Sequence, residues 1–147
     1  MSIKSQIEKD IHDAMRSGDT LRKNTLRMAL SAIKLAEIDR GTSLDEAGFI
    51  AILQKEIKSR RESIIDAERA GRPELAAEAQ AEINILDNYL PVQLDQHELE
   101  IMAREAIAEV GATSAREMGS VMKVLMPRIQ GRAEGSQVSQ VVRNLLE

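Results

Sequence analysis

The sequence contains no cysteine and no tryptophan, and only one phenylalanine and one tyrosine. Without cysteine there are no disulfides, thiolate metal ligands or cysteine nucleophiles, and the chain suits a reducing compartment. The scarcity of aromatic residues removes the platforms on which many proteins stack single-stranded bases. No apolar run is long enough to span a membrane, and no basic segment followed by an apolar run predicts a secretory signal. We therefore expect a cytoplasmic protein with an aliphatic core and no membrane association.

The sequence is rich in residues that favour helices. Ala, Leu, Glu, Gln, Lys, Arg and Met dominate the 147 residues, whereas alternating β-branched runs do not occur. Apolar residues recur at helical spacing from the start of the chain, as at Ile3, Ile7 and Ile11. The sequence therefore predicts an all-α protein of one domain or two small ones.

Turn and cap residues divide the chain into predicted helices. In the N-terminal part these cover residues 2–16, 20–39, 44–70 and 73–88. Ser43 and Glu46 resemble a capping box for the third helix, whose apolar seam is interrupted at Arg60 or Arg61. Pro91 stops helix propagation, so we place a domain boundary there. The prediction is an N-terminal helical bundle of about four helices in residues 1–90 and a small C-terminal three-helix tail domain in residues 91–147.

Further cap patterns predict where the three helices of the tail begin. The patterns are Asp95 with Glu98, Thr113 or Ser114 with Glu117, and Ser136. Pro127 is expected to kink or shorten the middle helix of the three. Met118, Met122 and Met126 share one side of that helix. They indicate either core packing or an adaptable surface for a partner.

Catalytic and metal-binding motifs are not found. His12 and His97 each have a glutamate on the same helical face but no third ligand, so we expect surface histidines, no metal site and no cofactor. Ser31 and Lys34 match the Ser-x-x-Lys spacing of acylating enzymes, but the partner motifs of that chemistry are missing. The turn 131–135 has glycine amides that could hold a phosphate, although an ordinary helix–helix turn is the simpler interpretation.

The second predicted helix carries two features of interest. Its apolar stripe, which includes Met28 and Leu35, is wide enough to predict packing against more than one neighbour. Lys23, Arg27 and Lys34 project within about 40° of one another at 100° per residue. This basic row indicates a solvated face, a site for an external anion, or pairing with acidic neighbours, for which the candidates are Glu74, Glu78 and Glu82.

Several short strings distributed along the chain carry a family resemblance. They are TLRM at 25–28, SAIK at 31–34, EID at 37–39, LQKEIKSRRES at 53–63, AGR at 70–72, YLP at 89–91, GATS at 111–114, MGSVM at 118–122 and GRAEG at 131–135. In this order they resemble the YqeY family, also called GatB/YqeY domain proteins. The resemblance implies an N-terminal bundle followed by a smaller three-helix part, which agrees with the boundary at Pro91.

The resemblance also implies a role. The C-terminal region of the GatB subunit of tRNA-dependent amidotransferase is similar to this family, and there it helps to hold tRNA while other domains amidate the mischarged aminoacyl group. The implied activity is that of a carbon–nitrogen ligase with glutamine as amido-N-donor. The sequence itself lacks a nucleophile for glutamine hydrolysis and lacks ATP and Mg²⁺ motifs. We therefore expect binding without catalysis by the lone chain.

Phosphate contacts need only Lys or Arg on a helix or turn. The candidate RNA-binding residues are Lys123, Arg128, Arg132 and Arg143 in the tail and Lys23, Arg27 and Lys34 in the bundle. The leading hypothesis is an accessory module that binds tRNA or a tRNA-amidotransferase-like assembly. The alternatives are a non-catalytic protein–protein adaptor with no RNA role, and a glutamine-dependent amide-forming enzyme.

Overall fold

A computed structural model describes residues 2–147, and every regular element in that range is helical. The α-helices are α1 (Ile3–Ser17), α2 (Thr20–Arg40), α3 (Glu46–Arg69), α4 (Pro73–Asp87), α5 (Gln96–Val110), α6 (Met118–Ile129) and α7 (Gly135–Leu146). A 3₁₀ turn at Ala115–Glu117 precedes α6. The chain forms two compact units, one ending at Leu90 and one covering Pro91–Glu147. The predicted all-α class is confirmed.

The N-terminal unit is built from two helical hairpins. Helix α1 packs on α2, α3 packs on α4, and α2 contacts α3 and α4 as well. Lys4 meets Glu37, and Met15 meets Arg27, so α1 and α2 run antiparallel. The side chains at the centre are fully buried and aliphatic: Ile7, Leu26, Ile33, Leu53, Ile57, Ile83 and Leu86. Isoleucine and leucine side chains therefore fill the centre of this core, a place that aromatic residues occupy in many proteins.

A buried ion cluster joins α3 to α4. Arg60 is only 6% exposed. Its Nε donates to Glu82 Oε2 at 2.7 Å and its Nη1 donates to Glu56 Oε2 at 2.8 Å, while its Nη2 lies 3.9 Å from the sulfur of Met28. Arg60 occupies the position one heptad after Leu53, where the apolar seam of α3 is interrupted. The interruption is thus an inward-facing arginine whose charge two carboxylates neutralise.

The predicted start of α3 is wrong by two residues. Asp45, rather than Ser43, caps the helix, because its carboxylate accepts from the backbone N–H of Gly48 at 2.8 Å. Leu44 is buried, and its N–H donates to Glu37 Oε2 at 3.0 Å. Burying Leu44 against the bundle fixes the entry of the chain and leaves the next residue in the cap position.

In the C-terminal unit one predicted cap is confirmed and another is wrong. Asp95 accepts from the N–H of Glu98 at 2.7 Å, and Glu98 accepts from the N–H of Asp95 at 3.2 Å, which completes the predicted capping box. Helix α7, by contrast, begins at Gly135 with Glu134 as its cap residue, so Ser136 already lies within the helix. The preceding residue, Ala133, is buried in the core of this unit and sets where the helix can begin.

Helices α5, α6 and α7 pack against one another around an aliphatic core. The fully buried members are Leu99, Ala103, Ala106, Val121, Leu125, Ile129, Val138 and Val142. Met118, Met122 and Met126 are partly buried and pack against this core, which favours the packing interpretation of the methionine stripe. Pro127 lies in the last turn of α6, and the helix ends two residues later at Ile129.

Tyr89 ties the end of the N-terminal unit to its first two helices. Its hydroxyl donates to the carboxylate of Asp10, which also accepts from Gln6 Nε2 at 3.0 Å and lies 3.7 Å from Arg22 Nη2. Burial raises the pKa of Tyr89 far above its usual value, and the neighbouring carboxylate raises it further. Tyr89 is therefore protonated at neutral pH and acts as a hydrogen-bond donor to Asp10.

Candidate nucleic-acid interface

Arg132 holds the N-terminal segment of the C-terminal unit in place. Its Nε donates to the carbonyl of Val92 at 2.9 Å, and its own carbonyl accepts from the N–H of Leu94 at 2.8 Å. Gln93 Nε2 donates to the carbonyl of Gly131 at 3.1 Å in the same place. This half-buried arginine is therefore committed to the protein backbone, which leaves less of its guanidinium for a phosphate.

Arg128 forms an ion pair with a neighbouring helix. Its Nη2 lies 2.6 Å from Oε2 of Glu109 on α5, and both side chains are about half exposed. An ion pair at this level of exposure contributes little to stability, so an incoming phosphate can replace the carboxylate at small cost. Arg128 thus remains available to an anionic ligand.

Lys123 on α6 and Arg143 on α7 are the open cations among the four tail candidates. Both side chains are exposed, and across residues 2–147 neither forms an ion pair. Lys123 lies on the side of α6 away from the buried Leu125. The four tail candidates thus divide into two open cations, one in a surface ion pair, and one, Arg132, bound to backbone.

The basic row of α2 is not compensated by the acidic residues proposed for it. Glu82 pairs with Arg60, and Glu74 pairs with Arg72, so neither reaches the row. Within the part of the chain that the structure describes, Lys23, Arg27 and Lys34 form no ion pair. Arg27 Nη2 donates to the sulfur of Met15 at 3.6 Å.

Glu37 lies near the C-terminal end of this row. The hydrogen bond from Lys4 Nζ, at 2.7 Å, and a second from the N–H of Leu44 hold the pKa of the Glu37 carboxyl below its usual value. The charge of Lys34 adds a smaller lowering. Lys34 therefore lies close enough to Glu37 to act on its charge without pairing with it.

The apolar stripe predicted on α2 is buried on one side only. Leu26, Ala29 and Ile33 are fully buried, whereas Met28 and Leu35 are 58% and 60% exposed. The predicted packing of α2 against more than one neighbour is confirmed, because α2 contacts α1, α3 and α4, but Met28 and Leu35 stay largely exposed. Helices α1, α3 and α4 thus cover the side of the wide stripe that carries Leu26, Ala29 and Ile33.

Other candidate chemistries find no support in the geometry. His12, His97 and Ser31 are all exposed. Among residues 2–147, no three His, Cys, Asp or Glu side chains are grouped so that they could hold a metal ion. No helix in that range combines the length and the apolar character that crossing a bilayer requires.

Comparison with known proteins gives relatives that share one name, "Altered inheritance of mitochondria protein 41, mitochondrial". The relative from Vanderwaltozyma polyspora is 38% identical over 85 residues, which is 57% of this chain and 46% of that protein. The one from Pyrenophora tritici-repentis is 29% identical over 147 residues, 96% of this chain and 79% of that protein. The one from Saccharomyces cerevisiae is 30% identical over 131 residues, 88% and 71% respectively.

The aligned part of the chain covers about half the length of the Vanderwaltozyma relative. The names of these relatives place them in mitochondria, and the cytoplasmic location expected for this chain stays a prediction. The family of YqeY-like proteins matches residues 4–146, nearly the whole sequence. The chain therefore belongs to the YqeY-like protein family.

Proposed function

We propose that this chain is a non-catalytic accessory module that binds tRNA, alone or within a tRNA-amidotransferase-like assembly. Membership of the YqeY-like family supports this, together with the similarity of that family to the GatB tail. The observation that carries the proposal is the local charge of residues 118–146 within the C-terminal unit. This segment has four basic residues and one acidic residue, although the whole chain has a net charge of −4.

The contacts would be made to phosphates rather than to bases. Exposed Lys and Arg side chains neutralise backbone phosphates without any special motif, whereas base stacking needs aromatic faces. The C-terminal unit has no aromatic residue. A folded RNA such as tRNA, in which phosphates are presented in a fixed arrangement, is the ligand that fits this chemistry.

We assign the phosphate contacts to Lys123, Arg128 and Arg143. Arg132 belongs to the same basic segment, but its hydrogen bond to Val92 gives it a structural role in addition. We expect Arg132→Ala to loosen the start of the C-terminal unit, and to weaken RNA binding mainly for that reason.

The test is the affinity of the full chain for tRNA, measured by filter retention or fluorescence anisotropy at low salt. Alanine at Lys123, Arg128 and Arg143 together should abolish measurable binding. A matched variant carries alanine at Lys9, Lys55 and Lys58, which are exposed lysines of the N-terminal unit, and changes net charge equally. It should retain most of the affinity.

A second variant tests the role of the Arg128 ion pair. Glu109→Gln removes the carboxylate that competes for Arg128 and one negative charge, so tRNA should bind more tightly.

If the tail variant binds tRNA as well as the wild type, or if the matched variant loses as much affinity as the tail variant, the site assignment is wrong.

A further inference from the structure

Helix α2 presents an apolar ridge that the described residues of the N-terminal unit, 2–90, leave largely exposed. Met28, Leu35 and Ile38 are 58%, 60% and 75% exposed. At 100° per residue they fall within about 80° of one another on the outer side of the helix. Met28 and Leu35 lie one heptad apart, and the small residues Ser31 and Ala32 leave a notch between them. Such a ridge with a notch is what a second helix packs against.

The basic row of α2 adjoins this ridge. Lys23, Arg27 and Lys34 occupy the next arc of the helix, about 40° wide. No Asp or Glu occurs from Thr20 to Ala36, and across the described chain no carboxylate pairs with these three cations. The outer face of α2 is thus a hydrophobic strip with a positive edge whose three cations form no ion pair in the described chain.

We propose that this face docks an amphipathic helix of a partner protein that carries a row of Asp or Glu along one edge of its apolar stripe. The apolar stripe would cover Leu35, Ile38 and the outer part of Met28, and the acidic row would lie against Lys23, Arg27 and Lys34. Helical segments recognised in this way bind through apolar anchors at helical spacing, while the charges fix direction and register.

The apolar ridge distinguishes this face from the basic tail. A phosphate backbone offers no apolar surface, so RNA bound to the row would leave Leu35 and Ile38 uncovered or in contact with charged groups. An amphipathic protein helix can cover the apolar ridge and pair with the basic row at the same time. The two surfaces lie on different units of the chain, so docking on α2 goes beyond the proposed tRNA contact and is tested separately.

The test uses the full chain and two synthetic 18-residue helical peptides. Both carry leucines at helical spacing, and they differ only in having glutamates or lysines along one flank. By fluorescence anisotropy, the glutamate peptide should bind in a salt-sensitive manner, and the lysine peptide should not. Leu35→Ala with Ile38→Ala should weaken glutamate-peptide binding about tenfold. Ile65→Ala with Leu75→Ala, on exposed apolar residues of α3 and α4, is the matched control and should change it little.

Charge reversal gives a second readout that misfolding could not produce. Arg27→Glu with Lys34→Glu should weaken the glutamate peptide and create binding of the lysine peptide. The proposal is overturned if the glutamate peptide does not bind, if both peptides bind the wild type equally, or if the α2 variants bind as the wild type does.

Two other ligands are measured on the same variants. If Arg27→Glu with Lys34→Glu abolishes tRNA binding while the tail variant retains it, the row is an RNA surface and the proposal fails. The second ligand is a vesicle of phosphatidylcholine and phosphatidylglycerol. If the wild type sediments with these vesicles and the Leu35 and Ile38 variant does not, the α2 face binds membranes and the proposal fails. Retained tRNA binding and no sedimentation support the helix.

Discussion

The ion cluster around Arg60 holds a positive charge that is almost completely removed from water. We consider Arg60→Met, which keeps an unbranched side chain of similar reach but removes the positive charge. The guanidinium side chain is 8% exposed, whereas those of Glu56 and Glu82 are 22% and 23% exposed. The substitution therefore leaves two carboxylates, both largely buried, without their common partner.

The size of the effect follows from that burial. Removing one partner of a buried ion pair destabilises a protein by about 3–5 kcal/mol. Because about a fifth of each carboxylate side chain remains in contact with water, we expect a smaller loss, about 2–3 kcal/mol in the free energy of unfolding. If Glu56→Gln and Glu82→Gln are added to Arg60→Met, all three charges are removed. Most of the lost stability should then return, because apolar or neutral groups often replace a buried ion cluster at little cost.

The sequence provides a selective assay. Tyr89 is the only tyrosine, and the chain has no tryptophan, so intrinsic fluorescence reports the N-terminal unit alone. Urea titration followed by this signal gives the unfolding free energy of that unit, and circular dichroism follows both units. The reasoning is refuted if Arg60→Met lies within about 0.5 kcal/mol of the wild type, or if the variant with all three charges removed is less stable than Arg60→Met.

Three further outcomes follow from local contacts. Tyr89→Phe removes the hydrogen bond to Asp10 and should lower the unfolding free energy of the N-terminal unit by about 1–2 kcal/mol, measured by circular dichroism. Asp95→Ala removes the cap of α5 and should cost about 1 kcal/mol, seen as a lower thermal midpoint for the C-terminal unit alone. Because Lys4 lowers the pKa of Glu37, their pairing stabilises the fold above the unfolded pKa, and this contribution is lost as pH falls through the folded pKa. Lys4→Met should therefore be less stable than the wild type at neutral pH, and urea titrations of the two should converge in acid.

The sequence predicts helix ends well where a single residue determines them. Gly18 ends α1 in the left-handed conformation, and the boundary between the two compact units falls between Leu90 and Pro91. The start of α3 is harder to predict, because Ser43 and Asp45 are both suitable N-cap residues. The burial of Leu44 determines which of them caps the helix. Local propensity offers the options, and packing with distant residues selects one.

The candidate surfaces show the same division. The sequence of α2 predicts one wide apolar stripe and a basic row, but it does not say which side of the stripe the other helices cover. The pairing of Arg60 with Glu82 joins residues 22 positions apart, and Arg132 reaches Val92 40 positions away. No local pattern predicts such contacts, so the division of the tail cations into structural and open ones emerges only from the fold.

The central claim, that the C-terminal unit binds tRNA through phosphates, is tested most directly by the salt dependence of tRNA affinity for the full chain. Three phosphate contacts, from Lys123, Arg128 and Arg143, predict a slope of about −2 to −3 in the plot of log affinity against log salt concentration. Alanine at these three residues should remove the binding. A slope near zero, or no binding at low salt, would contradict the account and leave the likeness to the GatB tail as shared architecture without RNA recognition.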